Sequence, residues 1–148
     1  MFKFRLEPLL TIRDNELKER QAELAQAYHA RSICEENLRA LERLMEEGLA
    51  TARRLMQPGQ MVNIQHLRGL QEQELVLRAN HEDWTHKMQV VDEEIERRRH
   101  LVVVANKEYK KVEKLKEKRY EEYLEEEKKQ ETKIMDEIAG NRRNPVRV

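Results

Sequence analysis

The sequence has one cysteine, three prolines and four glycines in 148 residues, 5% aromatic residues and no net charge. Each scarcity excludes something. A lone cysteine, Cys34, cannot form an internal disulfide, which fits a reducing compartment. So few aromatics, with a mean hydropathy of -0.96, leave too little material for a thick globular core. The longest apolar run, Leu101 to Ala105, is far below the ~18 residues that span a bilayer. Met1 to Arg5 lacks the apolar stretch and small-residue cleavage site of a signal peptide, so a cytoplasmic protein is expected, with no direct membrane insertion.

Chemical sites are also missing. Gly48, Gly59, Gly69 and Gly140 are far apart and none opens a phosphate-cradling loop, so no nucleotide or other cofactor is expected. His81 and His86 are on different helix faces, and no metal-binding spacing of histidine or cysteine occurs. Cys34 has no base beside it, and carboxylate runs such as Glu125 to Glu127 need a dry pocket to catalyse anything. A non-enzyme is expected. Arg97 to Arg99 adjoin Asp92, Glu93, Glu94 and Glu96, and the Arg142-Arg143 pair is short. Neither is the sustained basic surface that nucleic acid requires.

What is abundant is charge, 39% of residues, carried by good helix formers. Glu7-Pro8 suits a helix start, since proline is tolerated in the first turn. Leu10, Leu17, Leu24, Leu38 and Met45 recur every seven residues, interrupted by Arg31. A second row runs Arg13, Arg20, Ala27, Cys34, Leu41, Gly48 and Leu55. The two rows make a narrow seam, expected to be tighter from Cys34 to Leu55 than at its arginine-bearing start. Gln57 to Gln60 contains a Pro-Gly break, and Asn63 is placed to cap a second helix.

A second stripe comprises Leu67, Leu70, Leu77, Trp84, Met88, Val91, Ile95, Val102, Ala105, Tyr109 and Val112, broken by Arg98. Trp84 and Tyr109 read as seam packing. Outward faces pair opposite charges four apart: Asp14/Lys18, Glu16/Arg20, Glu93/Arg97 and Glu94/Arg98. The pattern predicts an all-α fold of two long helices in an antiparallel coiled-coil hairpin. The expected domain is a single one over 1–148, with helix one about 7–56, a turn at 57–62, helix two about 63–139 and a short basic tail at 140–148. Gly140 and Asn141 would close helix two, and Pro145 marks the tail.

Reversal at Pro58-Gly59 would face residues whose numbers sum to about 118, pairing Leu41 with Leu77, Cys34 with Trp84, and Leu10 closely with Tyr109. Roughly 25 residues, Glu113 to Ala139, would then project about 40 Å past the partner helix. On that projection Tyr120, Tyr123 and Leu124, then Ile134, Met135 and Ile138, would have no intramolecular cover and would face another protein.

The opening Phe4-x-Leu6-x-x-Leu9-Leu10-x-x-Arg13, the block Val112 to Lys118 and the ending Lys133 to Ala139 resemble the flagellar export protein FliJ family. That resemblance, which covers nearly the whole chain, implies a component of the flagellar type III protein export apparatus at the cytoplasmic face of the inner membrane. It implies a coiled coil similar to the central stalk of rotary ATPases. The implied partners are the hexameric export ATPase, the export gate protein FlhA and export chaperones. On this reading Leu6, Leu10, Arg13, Tyr120, Tyr123, Leu124, Ile134, Met135 and Ile138 engage the ATPase ring, while Leu67, Leu70 and Leu77 meet the export gate. A general cytosolic chaperone or adaptor, and a self-associating structural spacer, are the alternatives.

Overall fold

The computed structural model describes residues 1–59 and 61–143 and is all-helical: α1 is Glu7–Leu55 and α2 is Ile64–Arg143. The two form an antiparallel hairpin. Their contacts fall into two units, Arg20–Val102 and a second made of Met1–Glu19 with α2 from Val103 onward.

Local chemistry accounts for the ends. Glu7 favours the positive end of the α1 macrodipole, and its N–H bonds back to Phe4 O at 3.2 Å. Arg53 and Arg54 suit the opposite end. Gly59 then takes φ 87°, a conformation costly for any residue with a Cβ. Asn63 caps α2: its Oδ1 accepts from His66 N–H at 3.2 Å, and its carbonyl accepts from Leu67 N–H at 3.1 Å. At the far end α2 does not close at Gly140. It continues through Asn141 to Arg143, and Gly140 keeps negative φ, so the left-handed cap that glycine would supply is not formed. Pro145 lies outside the described residues.

The seam is where the heptads put it. In the unit Arg20–Val102, Ala27, Cys34, Leu77 and Ile95 are buried; in the other unit Leu17 and Val112 are. The remaining seam positions, including Trp84 and Tyr109, are half-buried, as two helices without a third layer must leave them. Lys87 Nζ stands 4.3 Å over the Trp84 ring, using its open face.

Two details differ from expectation. Arg31–Asp92, Glu42–His81 and Glu7–Lys116 meet across the helices with numbers that sum to 123. Side chains lean toward the N-terminus of their own helix, so in an antiparallel pair touching residues sum to about two more than the backbone register. The non-helical stretch between Leu55 and Ile64 supplies further offset. Consequently Leu77 shares a groove with Leu44 and Met45, not Leu41, and Tyr109 sits with Asp14 and Lys18. Cys34 and Trp84 do line one surface, joined there by Val91.

The seam is also tighter at its start, the reverse of the expected order. Arg13 and Arg20 are half-buried, and their heads pair with Glu16 and Glu23 at 3.1 Å. Glu16 is thus taken by Arg13 and not Arg20. Glu94 likewise takes Arg97 as well as Arg98, while Asp14–Lys18 pairs as expected. Nearer the turn, Gly48 and Ala52 are too small to fill the space between the helices, and no α1 residue beyond Cys34 is buried.

Candidate partner-binding surfaces

Among the described residues no three metal-ligating side chains cluster, and no helix is long and apolar enough to cross a membrane. Among the described residues the open surfaces are largely apolar, and each unit carries at least one.

In the unit Met1–Glu19 with α2 from Val103, Lys116 Nζ lies 2.8 Å from Glu7 Oε2 and ties the start of α1 to α2. Before it, Met1 to Phe4 has no regular secondary structure, and Phe2 and Phe4 are half-buried while Met1, Lys3 and Arg5 are exposed. The Phe2 ring meets Tyr120 edge-on at a centroid distance of 5.3 Å and Tyr123 at 5.5 Å. Tyr123 donates to Glu127 Oε1 at 2.9 Å. That bond, with burial and the carboxylate charge adding, raises the phenol pKa.

Tyr120 and Tyr123 therefore do have an intramolecular partner, contrary to the expectation from heptad counting. The N-terminal segment runs on past the start of α1 and covers α2 as far as Tyr123, shortening the bare part of α2. Everything from Leu124 to Arg143 is exposed, including Leu124, Ile134, Met135 and Ile138. Leu6 is also exposed, whereas Leu10 and Arg13 are half-buried in the seam. Leu6 lines a groove with Phe2, Phe4 and Tyr123, whereas Leu10, Arg13, Ile134, Met135 and Ile138 do not border it. Heptad counting does not single out Phe2 and Phe4. Their signal is the period-two alternation Phe2, Phe4, Leu6 against Lys3 and Arg5, which is strand-like patterning preceding a helix.

In the unit Arg20–Val102, an open groove of about 440 Å³ lies near the turn. Leu44, Met45, Leu49 and Met56 of α1 and Leu67, Leu70 and Leu77 of α2 line it, with Gly48 and Ala52 at the narrow part. A Cβ placed on Gly48 would meet nothing within 4 Å. The structure gathers Leu67, Leu70 and Leu77 onto this one surface, Leu77 buried and the other two half-buried. The α1 contribution escapes sequence reasoning because Leu44, Leu49 and Met56 are off the seven-residue rows. A row argument finds what pairs inward, not what borders a gap.

Residues 2–144 match the family model described as Flagellar FliJ protein. Among curated proteins and among solved structures, none matches the chain.

Proposed function

Since the chain belongs to the FliJ family and is thereby a component of the flagellar export apparatus, we propose that it acts as a stalk-like coiled coil that binds the hexameric export ATPase, promotes its activity, and links it to the export gate FlhA and to export chaperones. It does so by binding and not by catalysis, on the cytoplasmic side of the inner membrane.

The observation that carries this reading is the bare stretch of α2. From Leu124 to Arg143 every residue is exposed, roughly 20 residues or ~30 Å of helix. A single helix of that length draws little stability from propensity alone, and it holds Leu124, Ile134, Met135 and Ile138 in water. Burying those side chains recovers about 25 cal/mol per Å² of apolar area, so a partner surface is their natural complement. Tyr120 and Tyr123 adjoin the same stretch. The ring-facing surface proposed is Tyr120 to Ile138 with Leu6, joined by the exposed parts of Leu10 and Arg13. The groove of Leu67, Leu70 and Leu77 is the surface for the export gate.

The test is a chain ending at Tyr123. Added to the purified export ATPase, it should fail to stimulate ATP hydrolysis while the full chain stimulates. Full stimulation by the shortened chain would remove the ring-facing assignment.

A further inference from the structure

The aromatic contact at the N-terminus suggests that the ring-facing surface is regulated. We propose that Met1 to Phe4 is a displaceable cover, seated in the free chain on the Tyr120–Tyr123 face and released when the ATPase ring binds there. The proposal rests on the ring-facing reading above.

The seating is specific yet weakly held. Phe2 contacts both tyrosines, and Phe2 and Phe4 are half-buried while Lys3 and Arg5 are exposed. Among the described residues, however, no hydrogen bond or ion pair joins Met1 to Phe4 to α2. The nearest cross-helix tie is Glu7–Lys116, beyond the cover. The backbone bond at its edge, Glu7 N–H to Phe4 O, remains within the segment's own continuation into α1 and would survive its release. Beside the cover is an open groove of about 840 Å³, bordered by Phe2, Phe4, Leu115, Arg119 and Tyr123, so the fit is incomplete. Half-exposed ring contacts on a non-helical segment, without polar latches, hold a closed state by a modest factor.

That factor is what a partner must overcome. When a binding-competent state is a fraction of the whole, apparent affinity falls by that fraction. A cover closed about nine times in ten weakens ring binding about tenfold, and opening it by mutation restores that tenfold.

The experiment compares the full chain, the variant Phe2→Ala/Phe4→Ala, and a chain lacking residues 2–4, in binding to the export ATPase. A ring-independent readout accompanies it, namely the rate of tyrosine nitration at positions 120 and 123, resolved by mass spectrometry. The cover predicts faster nitration at both tyrosines and about tenfold tighter ring binding in both variants. Unchanged or weaker ring binding overturns it, because the segment is then a bystander or itself part of the interface. Unchanged nitration overturns it too, since the tyrosines were never covered. Tyr120→Ala/Tyr123→Ala in the full chain separates the two levels. If that variant binds the ring as well as the full chain does, the ring-facing reading of the tyrosines has failed. Faster nitration in the phenylalanine variants would then still report a segment that lifts.

Discussion

Arg98, at a seam position of α2, donates from Nη1 to the backbone carbonyl of Glu23 on α1 at 2.5 Å, while its Nε bonds Glu94 at 2.8 Å. Arg31 interrupts the other helix's row in a similar way, with Nε 2.9 Å from Asp92 Oδ1 but without hydrogen-bond alignment. Both interruptions of the apolar stripe thus reach across to the partner helix. A polar side chain at a seam position costs some stability and fixes register, since sliding the helices leaves it without its acceptor.

Arg98→Ala should therefore destabilise the hairpin by about 1–2 kcal/mol, through loss of the charge-assisted bond and of the packing of its stem. Arg98→Leu keeps the apolar bulk and should remain within ~1 kcal/mol of the parent, but with a less unique pairing. Urea unfolding gives the stabilities. Cross-linking between cysteines introduced on α1 and α2 gives the register, and a single cross-link pattern in Arg98→Leu would refute the pinning role.

These residues also mark how far the sequence could be read. Seven-residue rows located the seam, and Asn63 and Pro58-Gly59 located the turn, because caps and heptads are local patterns with local causes. The rows flagged Arg31 and Arg98 as interruptions but could not name Asp92 or the Glu23 carbonyl, since partner choice depends on a register that only the folded turn sets. The same offset moved Leu77 away from Leu41. The packing of Phe2 and Phe4 near α2 escaped notice for another reason. Heptad counting ends where the helix ends, and a non-helical segment packed beside α2 has no period in common with it.

Glu94 gives a dependence on acid. Hydrogen bonds from Arg97 and Arg98 lower its pKa to about 2. Its folded value is depressed, so its contribution to stability is present above the ordinary carboxylate value of 4.5 and is lost as pH falls toward 2. Glu94→Gln should flatten that part of the curve. Thermal melts between pH 5 and 2 should show a smaller drop in Tm for the variant than for the parent, and parallel curves would count against the assignment.

Two glycines should respond in opposite directions. Gly48 is helical and a methyl group on it meets nothing within 4 Å, so Gly48→Ala should gain about 0.5–1 kcal/mol from backbone entropy. Gly59 is equally uncrowded but has φ 87°, so Gly59→Ala should lose about 1–2 kcal/mol. Crowding cannot separate the two sites, so a shared sign in urea unfolding would mean that backbone conformation is not what distinguishes them.

Chain length offers the sharpest contrast. Among the described residues, ending the chain at Tyr123 removes only exposed ones and leaves Phe2 its two ring partners, so the melting temperature should move by no more than a few degrees. Far-UV helical signal should still fall, because the removed stretch is helix. Ending it at Val112 removes Tyr120, Tyr123 and Leu115, and also Lys116, the partner of Glu7. The start of α1 then loses its cross-helix tie and its aromatic cover together. Losses of aromatic contacts (about 0.5–1.5 kcal/mol each) and of one exposed ion pair (up to ~1 kcal/mol) sum to a deficit several times larger than the first truncation's. The first residues of α1 should fray, seen as faster amide hydrogen exchange from Leu9 to Arg13 in the Val112 chain and not in the Tyr123 chain. Equal exchange in the two would mean that α1 begins at Glu7 on its own account, and that the N-terminal contacts with α2 contribute nothing to it.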